Sequence, residues 1–215
     1  MPNLKTAIII ILAVFVISIG VFFIPFDDIL ARLPYISEFY NNTTITITSR
    51  NAKSEVFLDS KSYGETPVTI SDLKPGRYTF KLTRITDVSG AYEDRYIDID
   101  LERNTEAVID LEIGPNNLSS GYILYYTKSP VSNGKGYLSV NTDPADATVY
   151  IDGEYADKAP INAYMANPKS YSVKVSKTGY ENVEFPVIVR EGYNLNVKVN
   201  LFPIPINIEE QSNGE

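Results

Sequence analysis

The chain has no cysteine and no histidine among its 215 residues. The first absence rules out disulfides and thiolate chemistry. The second removes imidazole acid–base catalysis and Ser-His triads, and the two together remove Cys/His zinc sites. Basic residues are scarce as well: 19 Lys and Arg stand against 27 Asp and Glu, a formal net charge of -8 with a pI near 4.7. A nucleic-acid surface needs the opposite balance, because Lys and Arg must displace the counterions of the phosphates. No glycine-rich loop ends in Lys-Ser/Thr to cradle a phosphate, and no motif marks a Ser-Lys dyad. Asp143, Asp146, Asp152 and Asp157 lie close together, but their spacing matches no calcium loop, which must converge six to eight oxygens. The expectation is therefore a non-enzyme with no catalytic residue, no cofactor and no metal.

What is present begins with a long apolar run. Residues 7–26, AIIIILAVFVISIGVFFIPF, carry no charge. At about 1.5 Å per residue a helix of that length covers the roughly 30 Å hydrocarbon core of a bilayer. A cleaved signal peptide would have a shorter apolar stretch and a small-x-small site, whereas Asp27-Asp28-Ile29-Leu30 follows Phe26. The reading is an uncleaved signal anchor. Lys5 precedes it and Asp27 and Asp28 follow it, so residues 1–6 are expected in the cytoplasm and the C-terminal body outside. Residues 27–43, with Pro34 interrupting an apolar pattern, read as a membrane-proximal stalk. Asn41-Asn42-Thr43-Thr44 and Asn117-Leu118-Ser119 contain Asn-x-Ser/Thr sequons.

The body repeats itself. Displaced by 93 residues, Thr44 to Arg84 falls on Tyr137 to Lys177 without a gap, matching Ala52/Ala145, Val56/Val149, Asp59/Asp152, Pro67/Pro160, Pro75/Pro168, Tyr78/Tyr171 and Lys81/Lys174. Beyond a five-residue excess in the first repeat the displacement becomes 88, and Leu101, Ile109, Leu111 and Ile113 meet Val189, Val197, Val199 and Leu201. Two repeats follow, at 44–114 and 137–203, with a disordered tail expected at 204–215. Residues 115–136, rich in Asn, Ser and Gly, read as a linker in which Ile123-Leu124-Tyr125-Tyr126 could add a strand. The gapless repeat predicts that 137–203 folds alone.

Within each repeat the apolar residues alternate. "YIDIDLE" sets Ile97, Ile99 and Leu101 on one face against Asp98 and Asp100 on the other; "VIDLEI", "YSVKVSK" and "LNVKVNL" do the same. Period two is the signature of half-buried strands. Lys74-Pro75-Gly76, Asn167-Pro168 and Thr178-Gly179 punctuate them as turns. Asp152-Gly153 suits a two-residue hairpin turn that needs positive φ. Ser60 stands where the second repeat has Gly153, so a longer or different turn is expected in the first. About six strands per repeat predict an all-β body of two tandem small antiparallel β-sandwiches after an N-terminal transmembrane helix. The sixteen tyrosines fit either strand propensity or a protein- or glycan-contacting surface.

Each repeat resembles a PEGA domain, a β-sandwich module of prokaryotic surface and membrane-anchored proteins. The resemblance rests on Pro144-Ala145-Asp146-Ala147, on Val149-x-Ile151-Asp152-Gly153, on Ala159-Pro160 and on Lys177-x-Gly179-Tyr180. The first repeat departs more: it keeps Asp59, Thr66-Pro67 and Pro75-Gly76 but has Arg84-Ile85-Thr86-Asp87 in place of Lys-x-Gly-Tyr. The resemblance implies turn and packing roles for Pro144, Ala147, Asp152, Gly153, Pro160, Gly179, Tyr180, Asp59, Pro67, Pro75 and Gly76. It implies a surface setting and no catalytic residue. The functional expectation is a membrane-anchored module for protein interaction or envelope structure. The alternatives are a cell-envelope polysaccharide binder, or a sensor or accessory subunit of an envelope complex.

Overall fold

The structure is a computed structural model and describes residues 43–88, 90–130 and 133–205. The expected cytoplasmic N-terminus, signal anchor and stalk, the sequons at Asn41 and Asn42, and most of the expected tail lie outside the described residues. Among the described residues no helix is long and apolar enough to cross a membrane.

The described body is all-β. The first repeat supplies β1 (Thr44–Thr48), β2 (Ser54–Leu58), β3 (Lys61–Glu65), β4 (Val68–Ile70), β5 (Gly76–Arg84), β6 (Arg95–Leu101) and β7 (Glu106–Ile113). Then comes β8 (Ser119–Lys128). The second repeat supplies β9 (Gly136–Asp143), β10 (Thr148–Ile151), β11 (Glu154–Lys158), β12 (Ile161–Ala166), β13 (Ser170–Ser176), β14 (Val183–Ile188) and β15 (Tyr193–Asn200). Each repeat thus has seven strands rather than about six. The extra ones include the three-residue β4, too short to show an alternation.

Two small sheets, β3-β2-β5-β6 and β11-β10-β13-β14, flank one seven-stranded sheet of order β12-β9-β15-β8-β7-β1-β4. The small sheets are antiparallel. The large one is mixed, because β1 pairs parallel with β7 and β9 parallel with β15. This corrects the purely antiparallel expectation. Alternation reports the face a side chain takes, not the direction in which its strand runs.

The large sheet reads the same outward from β8, which pairs antiparallel with β7 on one side and β15 on the other. Its side chains divide between two cores. Ile123 is buried in the first, with Tyr125 packed against it; Leu124 and Tyr126 are buried in the second, with Tyr122 packed against it. Alternate residues of a strand face opposite sides of its sheet. The two small sheets therefore lie on opposite faces of the large one, and β8 is the strand both cores share. The stretch read as a linker with a possible extra strand holds this element, and the second core draws Leu124 and Tyr126 from outside the repeat boundaries.

The backbone at Gly121 explains how closely β8 and β7 approach. Gly121 is buried with φ of 132°, and a Cβ there would stand 1.9 Å from the Asp110 carbonyl oxygen. Only glycine fits.

The hairpin turns correct a second expectation. Leu58 pairs with Lys61, leaving Asp59 (φ 49°) and Ser60 (φ 65°) as a two-residue turn. Ile151 pairs with Glu154 around Asp152 (φ 51°) and Gly153 (φ 81°). Both repeats use the same turn, whose twist matches the flanking strands when both central residues have positive φ. Ser60 accepts that conformation without being a glycine.

Candidate functional site

The motif residues do not gather at one place. They divide between the two ends of β10, which at four residues is about 13 Å long. At its start Ala147 is fully buried, and its carbonyl accepts the Ala159 N–H at 2.8 Å, just before Pro160. Pro144 leads into the same loop, where the Ala145 carbonyl accepts from the Lys177 ammonium. Gly179 turns with φ of 83°, and Tyr180 packs against the second core. At the far end the Asp152 carboxylate accepts from the Ser172 N–H at 2.9 Å and the Lys169 ammonium at 3.0 Å. The backbone bond first, and the lysine next, hold its pKa below the usual carboxylate value. Asp152 thus braces the hairpin to β13. Gly153 is exposed beside it, as are Asp59 and Pro67 in the first repeat.

The Pro75 turn shows the same logic. The Tyr78 hydroxyl donates to the Lys74 carbonyl at 2.9 Å, and in the second repeat Tyr171 donates to Asn167 at 3.1 Å. These tyrosines fix the turns at Pro75-Gly76 and Asn167-Pro168. Gly76 itself takes φ of 153° as β5 begins.

A buried charge was not legible from the pattern. "VIDLEI" placed Glu112 on the polar face of its strand, yet Glu112 is 8% exposed. Its carboxylate accepts from Ser49 Oγ at 3.0 Å, the Asn51 N–H at 2.9 Å, the Ala52 N–H at 3.3 Å and Arg84 at 2.6 Å. Burial pushes the carboxyl pKa up; the hydrogen bonds and the guanidinium outweigh it, so the group stays below the ordinary value. Arg84 lies over the Tyr92 ring at 4.4 Å. The pair lines a cleft of about 310 Å3 that also takes Glu181 and Phe202 from the second repeat. Within it the Arg84 guanidinium and the Glu112 carboxylate are paired with each other. In the first repeat Glu112 and Arg84 hold the 49–52 loop; in the second, Lys177 holds the equivalent loop directly.

The tyrosines separate into two sets. Those of β8 are internal: Tyr122 stacks on Phe185 at 4.2 Å, and Tyr126, 6% exposed, donates to the Ile188 carbonyl at 2.5 Å. Burial raises the pKa of both hydroxyls. Tyr96 and Tyr155, by contrast, face outward. On the first small sheet Phe57, Lys81 and Tyr96 sit in one cross-strand row, with the Lys81 ammonium 4.1 Å above the Phe57 ring and Tyr96 69% exposed. On the second, Tyr155, Tyr150, Lys174 and Glu184 form the equivalent row, with Tyr155 61% exposed. A shallow depression of about 420 Å3 lies along the first row, lined by Phe57, Lys81, Tyr96 and Asp59, whereas one of about 450 Å3 on the second small sheet runs from Glu184 to Asp152. Aromatic rings with a lysine and hydroxyls offer apolar faces and hydrogen-bonding groups side by side. Among the described residues no group of His, Cys, Asp and Glu could hold a metal ion.

No curated protein matches the chain. The family model described as the PEGA domain matches it twice, over residues 42–117 and 135–204. These matches take in the strands of both repeats and leave β8 wholly between them. The chain belongs to the PEGA-domain family, with two tandem copies.

Proposed function

We propose that this is a non-catalytic, membrane-anchored surface protein whose paired PEGA domains bind a protein partner or build envelope structure. The observation that carries the reading is the twofold display of equivalent aromatic–lysine rows, Phe57-Lys81-Tyr96 and Tyr155-Tyr150-Lys174, on opposite sides of one β-sheet body. Exposed aromatics flanked by charge are the usual anchors of protein interfaces. Two such rows facing apart suit a connector that touches a neighbour on each side. Anchoring rests on the apolar run 7–26, and the outward orientation on Lys5 against Asp27 and Asp28.

Two experiments test it. Protease added to intact spheroplasts is expected to digest the body; digestion only after lysis would overturn the orientation. Crosslinking in whole cells from photoreactive residues at 96 and 155 is expected to trap a discrete protein adduct. Lys81→Ala with Lys174→Ala, which removes the lysine of each row, is expected to abolish that adduct at unchanged melting temperature. An adduct insensitive to both substitutions would refute the assignment of these rows.

A further inference from the structure

The outward face of the second repeat's half of the large sheet is built from side chains that disfavour strands. Asn194, Asn196, Lys198 and Asn200 alternate along β15, a central strand, opposite the buried Leu195, Val197 and Val199. Asparagine is depleted in strands, and a central strand tolerates it least where packing gives nothing back. Four alternate positions cover about 20 Å.

The internal repeat provides a control. The four equivalent positions of β7 hold Glu106, Val108, Asp110 and Glu112, in the same parallel register with β1 that β15 has with β9. The fold therefore does not require amides there. Across the pair, β1 presents Thr44, Thr46 and Thr48 where β9 presents Tyr137, Ser139 and Asn141. Only the second repeat carries amides and an aromatic ring on this face.

The amides are already oriented. Ser139 Oγ donates to Asn194 Oδ1 at 3.1 Å, Asn194 Nδ2 to Asn196 Oδ1 at 2.9 Å, and Asn196 Nδ2 to Thr127 Oγ1 at 2.9 Å. Asn196 Nδ2 also reaches the Tyr125 and Asn194 carbonyls at 3.4 Å, so Asn196 offers a ligand an acceptor lone pair, while Asn194 keeps one N–H and one lone pair. Side chains held in place by their neighbours lose less entropy on binding a ligand.

We infer that this face, centred on Asn196 and bordered by Tyr137 and Asn141, binds an uncharged polysaccharide strand. Amides pair as donor and acceptor with neighbouring sugar hydroxyls, and a tyrosine offers a flat apolar face to a sugar ring. Lys198 is the single formal charge on the outward side of β15, and the chain's net charge of -8 repels a polyanion. The ligand is thus neutral, and the site is separate from the Tyr96 and Tyr155 rows.

The test is titration calorimetry of the full chain, in a detergent without a sugar head group, with hexamers of β-1,4-linked glucose and of N-acetylglucosamine. A polygalacturonate oligomer is the charged control. At least one neutral hexamer is expected to bind and the polyanion is not. Asn196→Val and Asn141→Thr install the residues that the first repeat uses, Val108 and Thr48. Each is expected to weaken binding about tenfold, the loss of one hydrogen bond, while the melting temperature holds or rises. Absence of binding by both neutral hexamers overturns the inference. So does tighter binding of the polyanion, or binding unchanged in Asn141→Thr, or a fall in melting temperature with unchanged affinity in Asn196→Val. None of these outcomes touches the crosslinking result at 96 and 155, so the two readings fail separately.

Discussion

Truncating adjacent residues of β8 tests whether two domains or one body unfolds. Ile123 and Leu124 are neighbours, 6% and 8% exposed, but they point into different cores. Replacing a buried Ile or Leu with Ala costs about 2–5 kcal/mol, less where the site retains some exposure, so about 2–3 kcal/mol is expected for each. In a body of this size 1 kcal/mol moves the midpoint by roughly 2–4 °C, giving a fall of about 4–12 °C. The assay is differential scanning calorimetry of the body from Asn42 onward. Because β8 pairs with β7 along one edge and β15 along the other, neither core can open without exposing the other. Ile123→Ala and Leu124→Ala are therefore both expected to shift one and the same transition, with calorimetric and van't Hoff enthalpies agreeing. Two resolved transitions, with Ile123→Ala moving one and Leu124→Ala the other, would refute the reasoning.

The hairpin turns give a paired expectation: Ser60→Gly relieves a positive-φ serine and is expected to stabilise by about 0.5–1 kcal/mol, read from a thermal melt. Gly153→Val is expected to destabilise by about 1–3 kcal/mol, and Ser60→Val to cost more than a surface substitution, since both turns have the same form. Gly121→Ala forces a Cβ into the Asp110 carbonyl and is expected to cost about 3 kcal/mol; a silent variant would mean the β7–β8 spacing is wrong. For Glu112 the folded-state pKa is lowered, so its stabilisation is present above the unfolded carboxylate value near 4.5 and is lost as pH falls through the folded value. Denaturant titrations are expected to show wild type losing stability below about pH 4.5 more steeply than Glu112→Gln, with the curves converging at the acid end.

The cores were legible because alternation reports burial directly. Ile97, Ile99 and Leu101, and likewise Ile109, Leu111 and Ile113, are buried as their pattern required. The repeat was legible because turns need particular residues, and Pro67/Pro160 and Tyr78/Tyr171 recur at fixed offsets. Its shared centre was harder to see. Ile123-Leu124-Tyr125-Tyr126 is a continuous apolar run without alternation, the mark of a strand covered on both faces, but it sat among linker-like residues. Glu112 was hidden because a carboxylate on an alternating strand reads as solvated; its burial depends on Arg84 and the 49–52 loop, contacts that no local window contains. The turn at Ser60 departs from the expectation because residue preference is a weaker constraint than strand twist. The outward Tyr96 and Tyr155 carried no signal apart from being tyrosines, since the repeat preserves the aromatic at 57 and 150 instead.

The shared strand is tested most directly by comparing residues 136–205 with residues 118–205. The longer fragment retains β8 and so keeps Leu124 and Tyr126 in the second core and β15 paired on both edges. It is expected to give a β-rich circular dichroism spectrum and a cooperative melt. The shorter one, which the gapless repeat alone predicts to fold, exposes an edge of β15 and lacks two large buried side chains, and with β8 taken into account is expected to show no cooperative transition. A cooperative melt of 136–205 at the midpoint of 118–205 would contradict the claim that β8 completes the second sandwich.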